Sequence, residues 1–311
     1  SAFYICMVIY SFLFFIAGDA LSLLGSLFKM PKKVREAFSG IYAKGLLVPA
    51  SALVITLYAF YNAVDFKVTD YELFVDKASS TPVIEAVMIT DLHVGTSIGK
   101  KEITEIKAII EQISPQILFI CGDLFDHASN EDIMRFSVEK LGSIKTKYGT
   151  YFVTGNHEYY LGDISKILSY FKGTSIRVLH DEMVMVGDIY LAGRKDIREK
   201  ERAPLSEILK GAGSDRPVIV LDHQPNAIDE SAENGVDILL SGHTHNGQLF
   251  PFNYIVGLAN HTHYGIVDQG AFKAVVSSGL GTWKYPVRTG SSSEIVRIRI
   301  NFTKQGNMPA E

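Results

Sequence analysis

The side chains of this chain that could do chemistry cluster in five short motifs: Asp91-Leu92-His93, Gly122-Asp123-Leu124-Phe125-Asp126, Gly155-Asn156-His157-Glu158, His223, and Gly242-His243-Thr244-His245. Their donors are carboxylate oxygen, amide oxygen and imidazole nitrogen, with no thiolate among them. Such a set suits Mn²⁺, Fe or Zn²⁺ and argues against a structural zinc site. It is large enough for two ions that share one bridging carboxylate. Two metals roughly 3.5–4 Å apart can share a hydroxide, lower its pKa and clamp phosphoryl oxygens during in-line displacement. Each motif alone reads as an ordinary turn or helix start, and a lone His is more often a satisfied core residue. The inference rests on their fixed order and their common setting.

That setting is the end of a strand. Runs at 83–90, 116–121, 150–154, 217–221 and 237–240 each lead into one motif. Apolar runs of this length, rich in Val and Ile and ended by Gly or a polar residue, suit buried strands. Helical patterns separate the first three. Ile103, Ile106, Ile109, Ile110 and Ile113 recur at helical spacing within 102–113, and Ser114-Pro115 stops the run. Residues 130–145 and 163–171 repeat the pattern. The alternation predicts an α/β domain with ligands at the carboxyl ends of its strands.

With the order D-x-H, G-D-x-x-D, G-N-H-E, H, G-H-x-H, the chain resembles the calcineurin-like metallophosphoesterase superfamily. Within it, the chain is similar to the membrane-associated bacterial phosphodiesterases of the YkuE/YaeI type. The stretches Ile89-Thr90-Asp91-Leu92-His93-Val94-Gly95, Leu221-Asp222-His223-Gln224-Pro225 and Ser278-Gly279-Leu280-Gly281-Thr282, then Pro286-Val287-Arg288, extend the likeness over roughly residues 66–301. The resemblance implies a four-layer α/β/β/α sandwich and two divalent metal ions (Mn, Zn or Fe). Asp91, His93 and His245 would hold one ion, Asn156, His223 and His243 the other, and Asp123 would bridge them. His157 would stand beside the phosphate, stabilise the transition state and protonate the leaving oxygen. Asp126 and Glu158 would orient ligand imidazoles. One departure is Asn246, where the family more often has Gly; it removes no ligand.

Other residues carry weaker expectations. Arg194, after the strand-like 188–192, is a candidate phosphate contact. Trp283 suits either a wall of the site or plain packing. His261 and His263 read as surface loop residues, His127 and His180 as structural, and Cys121 as a small core residue. The charged stretch 196–204 reads as an exposed loop.

At 311 residues and 47% hydrophobic content, the chain has room for one large domain plus appended segments. Two Cys give no disulfide framework. A net charge of −4 and a pI near 6.1 offer no basic footprint for nucleic acid.

Residues 1–65 read as a membrane anchor and 66–311 as the catalytic domain. Two apolar segments, at about 2–28 and 46–64, each approach the ~20 residues needed to cross a bilayer, so two transmembrane helices are expected. Two such segments without a basic leader fit a signal peptide poorly. Asp19, inside the first, is expected near an interface or facing a partner helix. Lys29, Lys32, Lys33, Arg35 and Lys44 lie between the segments against Glu36, and an acidic stretch follows Val64. Short Lys/Arg-rich loops remain cytoplasmic, which predicts a multi-pass protein with an extracytoplasmic catalytic domain.

Three function classes compete. The first is a membrane-anchored phosphodiesterase or pyrophosphatase acting on a lipid-linked or envelope phosphate ester. The second is an anchored phosphatase acting on soluble nucleotides or phosphoproteins. The third is a non-catalytic scaffold on the same fold. The intact donor set and His157 argue against the third, and the anchor favours the first.

Overall fold

The computed structural model describes residues 1–259 and 263–305. The apolar runs became strands of two six-stranded sheets. The first contains β1 (Phe66–Ser79), β2 (Val83–Ile89), β3 (Ile117–Cys121), β4 (Thr150–Val153), β5 (Ile176–Val178) and the late strand β12 (Ser293–Gln305), in the order β1-β12-β2-β3-β4-β5. The second contains β6 (Glu182–Val186), β7 (Ile189–Gly193), β8 (Val218–Leu221), β9 (Ile238–Ser241), β10 (Gly265–Gln269) and β11 (Phe272–Val276), in the order β10-β11-β9-β8-β7-β6. Strands β2 to β5 are parallel, as are β7, β8, β9 and β11. Their carboxyl ends therefore line up, and the chemistry-bearing motifs follow those ends.

Burial explains the pattern. Met88, Phe119, Leu191, Ile219, Leu240 and Ile298 form the core between the two sheets. Helices α4 (Lys100–Ile113), α5 (Glu131–Gly142) and α7 (Ile164–Ser169) cover the outer face of the first sheet, with Ile103, Ile106, Ile110, Val138 and Leu141 against Leu118, Ile120 and Phe152. Helices α8 (Leu205–Ile208) and α9 (Ile228–Glu233) cover the second sheet. The result is the expected four-layer α/β/β/α sandwich. Central strands buried on both faces read as unbroken apolar runs. Edge strand β1 alternates instead, with Leu73 and Val75 buried between exposed Glu72, Phe74 and Asp76, and so escapes a search for apolar runs.

The anchor differs from expectation. Helix α1 (Ala2–Leu27) is 26 residues long, apolar and largely uncovered. At 1.5 Å per residue it reaches ~39 Å, enough for a hydrocarbon core of ~30 Å. Helix α3 (Leu47–Asn62) has 16 residues, only ~24 Å. Among the described residues one helix, not two, therefore has spanning length. Gly45, with φ +69, ends the line of α2 (Lys32–Ala43); α3 begins at Leu47 with Pro49 in its first turn and stops at Asn62. Helix α2 folds back along α1, where the Tyr42 hydroxyl donates to Asp19 Oδ1 at 3.0 Å and to the Phe15 carbonyl at 3.3 Å. Asp19 thus faces a partner helix.

The anchor also docks on the sandwich. Cys6, Tyr10, Ala52 and Ala59 are buried with Val287. The Tyr10 hydroxyl donates to the Phe250 carbonyl at 3.0 Å and meets Thr289 Oγ1. Asn62 Nδ2 donates to the carbonyls of Arg288 and Ser291 at 3.1 and 2.9 Å, and the Arg288 amide donates to the Ala59 carbonyl at 2.9 Å.

Candidate metal centre

Five of the expected donors sit on backbone that L-residues avoid. Asp91, His93, Asp123, His243 and His245 have φ of 54, 43, 49, 72 and 50°. A non-glycine residue there costs about 1–2 kcal/mol, and such strain persists only where the surroundings impose it, typically at functional sites. Asn246 is left-handed too, with φ 47°. Asn and Gly are the residues that accept this conformation most readily, which accounts for Asn at a position where Gly was the family expectation. Two glycines are required by proximity. A Cβ at Gly155 would lie 2.2 Å from Asp123 Oδ1, and one at Gly242 would lie 2.2 Å from Asp91 Oδ2.

The donors meet in two groups. Asp91, His93 and His245 form one, and Asp123, His223 and His243 the other, while His93, Asp123 and His157 make a third set that overlaps both, with the ligand atoms in each within 4.8 Å of one another. In the first, His93 Nε2 and His245 Nε2 are 3.1 Å apart, and His245 Nε2 lies 3.4 Å from Asp91 Oδ1. In the second, His223 Nδ1 lies 2.8 Å from the Cys121 carbonyl and donates to it. That contact leaves Nε2 facing Asp123 Oδ2, 3.2 Å away, and against burial the Asp123 carboxylate raises the His223 imidazole well above its ordinary value. Asp123 Oδ2 is also 3.7 Å from His93 Nε2, so it adjoins both groups. Asn156 Oδ1 and His223 Nε2 are buried without a hydrogen-bond partner. Buried acceptors facing one another are unfavourable unless a cation joins them, and the donor types match divalent transition metals.

Protonation follows the same logic. Burial drives the His245 imidazole down to about 3. Burial and the neighbouring His223 also lower His243. Both rings are neutral near pH 7, as ligands must be. Burial opposes ionisation of Asp91 and Asp123, but the imidazoles of His245 and His223 outweigh it and hold both below the usual carboxylate range.

Asp126 orients imidazoles as expected: its carboxylate lies 3.2 Å from His157 Nδ1 and 3.3 Å from His93 Nδ1. Glu158 does something else. It accepts the backbone amides of Asp123, Phe125 and Gly155 at 3.0, 3.0 and 2.7 Å, so it fixes the motif backbones and not a ring. Burial and the Asp123 carboxylate push the Glu158 carboxyl up to about 8, against the amides that favour its ionised form. His157 opens the short helix α6 (Asn156–Tyr160), its amide donating to Asp123 Oδ1 at 2.8 Å.

Arg194 is placed away from the centre. Its guanidinium is buried against Glu230 at 2.7 Å and Asp222 at 3.5 Å, lining a separate small cavity, so it has no free face for a phosphate there. His127 is exposed and stacks on Tyr160, His180 meets the Tyr159 hydroxyl at 3.2 Å, and Cys121 is a buried thiol. His263 lies beside Gly257, while His261 lies outside the described residues.

The donors open into a cavity of about 690 Å³. Asp123, Asn156, His157, His243 and His245 form its floor, and Leu249, Phe252, Val256, Trp283 and Tyr285 an apolar side. Trp283 is therefore a wall of the site. Lys284 is the one Lys or Arg among the described lining residues. Two supports were missed at the sequence level. Gln248 Nε2 donates to the Trp283, Tyr285 and Val287 carbonyls at 3.1–3.4 Å, while its Oε1 accepts the Trp283 amide at 2.8 Å. Arg288, fully buried, donates to the carbonyls of Ser278, Ser292 and Gly281. The Gly281 amide in turn donates to the Asp91 carbonyl at 2.8 Å. The uncharged run 250–259 was the available signal for the apolar side; the roles of Gln248 and Arg288 have no local signature.

The family model for calcineurin-like phosphoesterases matches residues 86–247. A transmembrane protein with a metallophosphoesterase domain from Danio rerio is 32% identical over 94% of this chain and 70% of its own length. An uncharacterized metallophosphoesterase from Helicobacter pylori strain J99 is 35% identical over 75% of this chain and 64% of its own. A transmembrane protein with a metallophosphoesterase domain from Bos taurus is 32% identical over 69% of this chain and 52% of its own, so the chain spans only part of these relatives. The chain belongs to the calcineurin-like phosphoesterase family. It is a metallophosphoesterase domain with a buried Asp/His cluster suited to divalent metals, preceded by an apolar helix long enough to cross a membrane.

Because a Cβ at Gly242 would collide with Asp91, Gly242→Ala should displace that carboxylate. The expected outcome is loss of bound metal by elemental analysis with an unchanged far-ultraviolet circular dichroism spectrum. Full metal content in this variant would contradict the geometry.

Proposed function

We propose that this chain is a membrane-anchored, dinuclear phosphoesterase that cleaves a phosphodiester or pyrophosphate bond in a lipid-linked or envelope substrate. The observation that carries the reading is the pair of buried donor groups joined at Asp123 beneath a cavity with one apolar side. Asp91, His93 and His245 would hold one ion and Asn156, His223 and His243 the second, with Asp123 between the two sets. The bound ions supply Lewis acidity toward the phosphoryl oxygens and activate the attacking water. His157 is the proton donor to the leaving oxygen. Burial alone would depress its imidazole, but its hydrogen bond to Asp126 and the charges of Asp123 and Asp126 raise it above its ordinary value. Nδ1–H donates to the Asp126 carboxylate, leaving Nε2–H for the substrate. Asn156, a neutral amide, limits the negative charge that an anionic ester meets, and Lys284 adds a cation at the mouth.

The reading also takes the catalytic domain to be extracytoplasmic: α1 runs from the sandwich to the basic turn, and α2 with α3 returns to the sandwich, so turn and domain lie at opposite ends of this helical hairpin. Lys29, Lys32, Lys33 and Arg35 cluster where α1 turns into α2, beyond the helix half that docks on the sandwich. Basic turns of this kind favour the cytoplasmic side.

Three outcomes test this. His157→Ala should keep its metal yet lose roughly 10²–10⁴-fold in rate, with less loss on a nitrophenyl ester, whose leaving group needs no proton; loss of metal would make His157 a ligand instead. Asp126→Asn should lower the His157 pKa, so the acid form disappears sooner as pH rises and the alkaline limb of the kcat profile moves to lower pH. An unmoved limb would deny the pairing. Protease added to intact cells should degrade the domain; protection until the membrane is broken would reverse the orientation.

A further inference from the structure

We propose that helix α10 (Phe252–Ala259), together with Trp283, is a second membrane-contact element that sets the mouth of the metal site into the headgroup layer of the bilayer. The chemistry performed there rests on the phosphoesterase reading; the contact itself does not. Helix α10 contains no charged residue and divides its faces. Asn253 packs against Gly247, where an added Cβ would lie 2.4 Å from the Asn253 Cα, so the helix grips the loop that carries His245. Phe252 and Val256 face the cavity. Tyr254, Ile255 and Leu258 point outward, 64, 56 and 83% exposed, and Phe250 and Trp283 extend the same apolar rim. A rim of this kind beside a site marks an interaction surface.

The anchor identifies the occupant. Cys6 and Tyr10 of α1 are buried against the sandwich, and the Tyr10 hydroxyl bonds to the carbonyl of Phe250, one residue before the turn into α10. The helix beyond that contact, residues 11–27, measures ~26 Å, against a hydrocarbon core of ~30 Å. An anchor of that length cannot cross the core and also hold the domain clear of the surface. The rim bonded to Tyr10 therefore lies in the interface, where Trp and Tyr are favoured and apolar helix faces bury in the boundary between headgroups and acyl chains. The site then receives an amphiphilic phosphoester from the bilayer. Its phosphate reaches the donors, and its apolar part lies along Leu249, Phe252 and Val256.

Trp283 is the chain's one tryptophan and reports on this contact directly. The full chain would be reconstituted in phosphatidylcholine vesicles whose acyl chains are brominated near the ester. Trp283 emission should be quenched by the bromolipid and shielded from aqueous iodide. The double substitution Ile255→Gln and Leu258→Gln keeps helix propensity and leaves α1 intact; it should remove the quenching and expose Trp283 to iodide. That variant should hydrolyse bis(p-nitrophenyl) phosphate in detergent like the parent. Its turnover of vesicle-resident phosphatidyl-p-nitrophenol, which has the same leaving group, should fall about tenfold through lost local presentation. Parent Trp283 that is open to iodide and untouched by bromolipid overturns the proposal. So does shielding that appears only at high protein density, because a second copy would then cover the face. Quenching intact with no turnover of either ester would refute the phosphoesterase reading and leave the membrane contact standing.

Discussion

The structure is organised around a local arrangement that is unfavourable without a cation. Two carboxylates and four imidazoles converge at the base of the cavity, with His93 Nε2 and His245 Nε2 only 3.1 Å apart. Asp91, His93 and His223 are fully buried, while Asp123, His243 and His245 face the cavity. The surrounding fold holds this arrangement in place. Parallel strands from both sheets end at the same level, left-handed backbone turns Asp91, Asp123, His243 and His245 inward, and Glu158 clamps three amides of the flanking loops. Such preorganisation is what makes a metal site selective and catalytic, since the donors need not rearrange when an ion or a transition state arrives.

The same support reaches the anchor. Arg288 holds the Gly281 carbonyl, Gly281 holds the Asp91 backbone, and the Arg288 backbone is hydrogen-bonded on both sides by Ala59 and Asn62 of α3. A chain of contacts thus runs from the apolar helices to the first donor of the metal centre. The apolar N-terminal helices and the site are parts of one packed unit.

How much was legible in the sequence depends on range. The central strands and helix α4 were plain because burial on both faces, or on one helical stripe, writes itself into short windows. The donors were legible because each motif combines a strand end with a turn residue and a donor. Strands β1 and β12 were not, because their stability comes from pairing with each other over more than two hundred residues of separation. The length of α3 was misjudged because hydrophobicity does not show that the helix stops at Asn62, whose side chain bonds to the distant Arg288 and Ser291 carbonyls before the chain enters β1. Arg194 was misassigned because its partners Glu230 and Asp222 come from other segments. Glu158 was placed correctly at the centre, but its acceptance of three amides is a property of loops meeting in space. Helix α10 went unnoticed because it is short and uncharged, with no periodic polar face to contrast with its apolar one.

The central claim is that two ions share Asp123. Anomalous diffraction at the manganese edge, from crystals of the Mn²⁺-loaded full chain in a lipidic phase, tests it most directly. The account predicts two peaks roughly 3.5–4 Å apart. One should be bounded by Asp91, His93 and His245, the other by Asn156, His223 and His243, with the Asp123 carboxylate between them. A single peak, or two peaks with Asp123 turned away from either, would contradict it.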